Sequence, residues 1–211
     1  MVDDAGPKEG CESMDNDLPE FPLTPACAGA RAIAGKYCSV ALLNHCLRSY
    51  VWAAAYGSRQ GVPYDPELLY VGAMLHDIGL VPEFDSHTVG FDQASGHVAY
   101  VFATGAGWPE ARQARLVDVV LSHMWDHVNV DDYPEGFLLE RSTSTDISGR
   151  HMDDFSGEFK ASVLRSLPRA GIAAEFLACF RDQADRKPAS SPARSIKGGI
   201  AERILGNALD L

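Results

Sequence analysis

The chain has 211 residues, of which 46% are hydrophobic and 22% charged, and it carries a formal net charge of -11. That length suits one well-packed domain, and so acidic a balance argues against nucleic acid or an anionic membrane as the main partner, because both attract a basic surface. The five cysteines, Cys11, Cys27, Cys38, Cys46 and Cys179, contain no C-x-x-C pair and read as free thiols in a reducing cytoplasm.

Met1-Val2-Asp3-Asp4 lacks the basic-then-apolar profile of a signal peptide, and no run approaches the ~20 apolar residues of a membrane span. Residues 1–25 are expected to form a flexible arm, since the first stretch is rich in Asp, Glu, Gly and Pro, and Pro22 and Pro25 keep the chain extended. From about Ala26 to Tyr56, Ala, Leu and aromatic residues recur at helical spacing, which predicts one long helix or two in succession, ended at Gly57. Asp65 then caps a helix opened by Pro66, and that helix carries Leu68, Leu69, Val71, Met74 and Leu75 before delivering His76-Asp77. The polar loop from Gly79 to Gly90 is placed to cover whatever site that pair forms.

Further helices are predicted from Phe91 to about Thr104 and from Pro109 to Met124. An acidic turn follows at Asn129 to Pro134. A segment from Phe137 then meets Asp146 and breaks near Gly149, and two amphipathic helices run over Phe159–Leu167 and Gly171–Ala184. Lys187 to Pro192 reads as an irregular strap, and Ile196 to Leu209 as a short closing helix. No strand alternation is present, so the fold class is all-α, with residues 26–211 as a single helical domain.

Within these segments, His45, His76-Asp77, His97, His123 and Asp146 fall one group to a helix, each among apolar neighbours. Any one of them alone is most simply a core residue satisfied by a backbone partner. Together they are hard to satisfy separately, because a buried carboxylate without a partner costs several kcal/mol, and imidazoles and carboxylates drawn from several helices are a common way to hold a divalent metal. Arg48, one helical turn after His45, is placed to orient a carboxylate. His87, His127 and His151 are left outside this set, and Trp125 is a possible wall beside His123.

A histidine, a later His-Asp pair and a distal Asp resemble the signature of the HD superfamily of helical metalloenzymes. Leu43-Asn44-His45-Cys46-Leu47-Arg48, the run from Leu69 to Ile78, Phe91-Asp92, Leu121-Ser122-His123 and Arg186-Lys187-Pro188 are similar, more narrowly, to the cyanamide hydratase family. The resemblance implies metal ligands at His45, His76, Asp77 and Asp146. It also implies a hydratase that adds metal-activated water to a small nitrile-type substrate such as cyanamide; His123 is the candidate for proton transfer, since an imidazole titrates near the working pH, and Asp77 is counted with it as catalytic. One zinc is expected if the site is mononuclear, and two irons if His97 and His123 are ligands as well. A phosphohydrolase and a di-iron oxygenase stand as alternatives, and a metal-free binding scaffold as a third. The phosphohydrolase needs cations near the site, for which Arg48, Arg112, Arg115 and Arg150 are the nearest in sequence. The implied partner is a small molecule, and a homodimer is open.

Overall fold

A computed structural model describes residues 18–210. The cysteine Cys11 and most of the expected arm lie outside the described residues. Residues 18–24 are extended and docked: the Phe21 ring packs against Tyr50 and Tyr70, and the Tyr50 hydroxyl donates to the Glu20 carbonyl at 3.3 Å.

Ten α-helices follow among the described residues: α1 (Pro25–Tyr37), α2 (Val40–Gln60), α3 (Pro66–Leu75), α4 (Phe91–Gly105), α5 (Glu110–Ser122), α6 (Pro134–Ser148), α7 (Gly157–Ser166), α8 (Ile172–Arg186), α9 (Ser191–Lys197) and α10 (Ile200–Leu205). No strand occurs among them, as the absence of alternating apolar residues predicts. The first long helical stretch is two helices. It divides where Ser39 leaves helical geometry and its hydroxyl accepts from the Leu42 N–H at 3.0 Å, starting α2 with its own cap. Gly61, at φ 66°, ends that helix.

The second of these helices is the axis of the molecule. It is buried on nearly every side from Ala41 to Ala54, and its neighbours are α3, α6 and α8. Trp52 projects from it to pack against the Phe155 and Phe159 rings, which fixes α7. The descent from α3 into α4 is tight enough to require glycine at position 79, where a Cβ would come within 2.2 Å of the Phe91 carbonyl oxygen. The Gly79 N–H donates there to the Ser95 hydroxyl at 2.9 Å.

The C-terminal segment folds back over the end of α6. Its last-turn carbonyls would otherwise lack partners, and Asn207 donates to the Asp146 and Ile147 carbonyls at 2.8 and 3.1 Å while Arg169 donates to the Asp146 carbonyl at 2.7 Å. The stretch expected to be a strap opens as a helix at Ser190, whose hydroxyl caps α9. The polar loop after α3 departs from its expected position. Asp85 is held to the end of α8 by Lys187 at 2.7 Å, Gln183 at 2.8 Å and Arg186, so the loop borders a separate cavity with His87 and does not cover His76-Asp77. None of the four described cysteines is in a disulfide, and no described helix is long and apolar enough to cross a membrane.

Candidate metal centre

His76 and His123 are delivered by the same device. Each is the residue that ends its helix, α3 or α5, where the last carbonyls have no intrahelical donor. His76 Nδ1–H donates to the Ala73 carbonyl at 2.8 Å, and His123 Nδ1–H donates to the Val120 carbonyl. A carbonyl only accepts, so both protons sit on Nδ1 and both Nε2 atoms carry lone pairs. His45, on α2, uses its Nδ1–H on Asp146 Oδ2 at 2.8 Å, and its Nε2 is likewise a lone pair.

The three rings meet over Asp77. His45 Nε2 and His76 Nε2 are 3.2 Å apart and lie 3.3 and 3.1 Å from Asp77 Oδ2, while His123 Nε2 stands 3.7 Å from Asp77 Oδ1. All four residues are buried. Neither Asp77 oxygen nor His123 Nε2 has a hydrogen-bond partner among the described residues. Electron-rich atoms thus face one another with no proton between them, an arrangement that is costly unless a cation joins them. Ligand atoms of His45, His76 and Asp77 all lie within 4.8 Å of one another, which fits a small divalent ion with His and carboxylate donors.

Electrostatics agree. Burial raises the Asp77 pKa, but His76 and His45 outweigh it and hold the carboxyl far below its usual range. On His45 burial lowers the pKa, and the hydrogen bond to Asp146 together with the nearby Asp77 carboxylate outweighs that and raises it. The same carboxylates that favour positive charge on this ring favour a cation beside it, so protons and metal compete there. Burial and the nearby His76 push His123 down to about 4, which keeps its imidazole neutral.

Two expected ligands lie elsewhere. Asp146 is buried, but it sits behind His45 and its oxygens are already engaged. Oδ1 accepts from Arg48 Nε at 2.7 Å and from Trp52 Nε1 at 3.1 Å, and Oδ2 accepts from Arg48 Nη2 at 2.8 Å as well as from His45. Asp146 therefore fixes the tautomer and orientation of His45, and Arg48, expected to orient a carboxylate ligand, pairs instead with this framework carboxylate. His97 is exposed on α4, whose buried face runs through Phe91, Ala94, Ser95, Ala99 and Ala103. The six-ligand arrangement needed for two irons is accordingly not assembled.

The centre forms the floor of a cavity of about 610 Å³. Ile147, Phe176 and Phe180 wall it beside the His45 ring, which lies 5.9 Å from that of Phe176. Trp125 lines it too. Of the arginines expected to serve the site, only Arg150 reaches the cavity: Arg48 is spent on Asp146, Arg112 pairs with Asp65 and Glu67, and Arg115 pairs with Glu135. Sequence reasoning missed Arg194 on α9 and Arg203 on α10, which also line it. Ser190 followed by Pro192 is a readable helix start, but nothing in the spacing tells where that helix docks.

Residues 42–144 match the family model of the HD domain. The chain contains an HD domain. The matched stretch includes His45, His76, Asp77 and His123 and stops just short of Asp146. HD domains characterise a superfamily of metal-dependent hydrolases, and here the domain supplies a His45-His76-Asp77 cluster able to hold a divalent metal. No curated protein matches the chain. The cavity wall carrying Phe176, Phe180, Arg194 and Arg203 comes from helices beyond the matched residues.

Proposed function

We propose that this protein is a hydrolase that binds one divalent cation, zinc being the best fit, and cleaves a phosphate ester in the cavity above it. The observation that carries the reading is the set of buried, unpartnered acceptors on Asp77 and His123 at the floor of a cavity bordered by Arg150, Arg194 and Arg203. A bound cation of this kind lowers the pKa of water toward neutrality and polarises a phosphoryl oxygen. His45 and His76 would hold it through Nε2, and Asp77 through its carboxylate, whose Oδ2 faces both rings.

Asp77 Oδ1 and His123 Nε2 face each other across 3.7 Å, and both accept hydrogen bonds. Between them they are placed to orient a water molecule. With its pKa near 4 the His123 imidazole is too weak a base to retain a proton, and the Asp77 carboxyl, held far below its usual range, is weaker still, so the pair positions water by accepting its hydrogen bonds. Arg150, Arg194 and Arg203 supply positive charge for an anionic substrate.

Hydration of a small nitrile such as cyanamide is the second reading. It is favoured by the aromatic wall of Phe176 and Phe180 beside the ligand rings, which suits a compact uncharged group. The test is metal analysis of protein purified without added metal, followed by assays with p-nitrophenyl phosphate, nucleoside monophosphates and cyanamide. We expect one metal per chain and phosphate release that disappears in His76→Ala. Urea from cyanamide with no phosphate release from any ester would put the second reading first.

A further inference from the structure

The cavity lining has two chemically different parts. At the floor are the acceptor atoms of the metal centre. Another part of its lining comes from α9 and α10 and includes Ser191, Arg194, Ser195 and Arg203. Arg194 and Arg203 are exposed, and neither is in a salt bridge with a described carboxylate, in a chain whose net charge is -11. Arg150, which also lines the cavity, is already 3.5 Å from Glu140, so α9 and α10 hold the uncommitted positive charge. Arg203 is oriented by a hydrogen bond from Nη1 to the Gly198 carbonyl at 3.1 Å.

A second observation points to a ligand. Ser191 is only 4% exposed, and its Oγ is buried with no hydrogen-bond partner among the described residues. An orphaned hydroxyl at a cavity wall is unfavourable unless something in the cavity accepts from it or donates to it. Two guanidinium forks and a hydroxyl offer more donors than the two oxygens of a carboxylate can use, whereas a tetrahedral phosphate presents oxygens in several directions.

We propose that Ser191, Arg194 and Arg203 form an oxyanion subsite that binds a phosphate group of the substrate remote from the bond cleaved at the metal centre. The substrate class is then a phosphate ester carrying a second phosphate. This rests on the reading of the cavity as a substrate site, but it does not require that the cation be present.

The two can be separated by measuring inorganic phosphate binding, by calorimetry and by ³¹P NMR, to protein stripped of metal with a chelator. Saturable binding is expected in the stripped wild type and in His76→Ala. It should weaken by about tenfold or more in the Arg194→Ala/Arg203→Ala pair and by a smaller factor in Ser191→Ala. The charge reversal Arg194→Glu serves as a second variant, and Arg181→Ala, an exposed arginine outside the cavity, should bind like the wild type. The subsite is overturned if stripped protein shows no saturable binding, if the arginine pair binds phosphate as well as the wild type, or if binding disappears with His76→Ala. Failure of the hydrolase reading shows itself differently, as absence of phosphate release with phosphate binding intact.

Discussion

Asp77 and Asp146 are buried carboxylates on opposite edges of the same imidazole, and the fold treats them in opposite ways. Asp146 accepts four hydrogen bonds, two from Arg48 and one each from His45 and Trp52. Asp77 accepts none. Burial alone therefore does not mark a ligand, since a carboxylate whose oxygens are spoken for is part of the framework. The one left without donors is where a cation is needed.

That contrast is broken most directly by truncating each acid. Asp146→Ala leaves the Arg48 guanidinium buried without its carboxylate and should destabilise the fold by about 3–5 kcal/mol in urea titrations. Replacing the pair together, as Arg48→Met/Asp146→Leu, should recover a large part of that loss, because no charge is then stranded. Asp77→Ala should behave otherwise. In chelator its stability should stay within about 1 kcal/mol of the wild type, while the metal-dependent gain, about 2.7 kcal/mol at a metal concentration a hundredfold above Kd, disappears. Equal destabilisation of metal-free protein by the two truncations would erase the distinction.

The sequence made one side of this comparison readable and hid the other. His76-Asp77 and His123 follow apolar runs that end helices, so their burial could be inferred. Asp146 could be paired with a distant arginine only through the packing of α2 along α6, which no local spacing records. His97 was within reach: it stands two residues from each of the buried Ser95 and Ala99, and positions two apart on a helix do not face the same way. The all-helical architecture followed from apolar periodicity. The wall made by α9 and α10 did not, because a short helix can start where its cap says and still dock on any apolar face the fold offers it.

A smaller effect is expected at Asp85, whose carboxylate is satisfied like that of Asp146 but lies nearer the surface. Burial raises its pKa, and Lys187, Gln183 and Arg186 outweigh burial and lower it. A carboxyl with a depressed folded-state pKa contributes stability that is fully present above its unfolded value of about 3.9 and is lost as pH falls through the folded value. The Tm advantage of the wild type over Asp85→Asn should therefore hold near neutrality and shrink as pH is lowered below about 4. An advantage that grows on acidification would mean that the loop is not held by this ion pair.

The smallest effect, and the one that sharpens the comparison at the level of metal count, is expected at His97. Its ring is exposed on α4, so truncation opens no cavity and strands no partner, and the change in stability should stay within about 0.5 kcal/mol. Metal content should remain one per chain in His97→Ala. His123→Ala, by contrast, removes an unpartnered nitrogen 3.7 Å from Asp77 and should weaken metal retention or turnover while leaving the fold intact. Titrating both variants with Zn²⁺ and with Fe²⁺ reads this directly. If His97→Ala lowered the stoichiometry from two to one, α4 would have to turn His97 inward, against the face that now buries Ser95 and Ala99, and the centre would be binuclear after all.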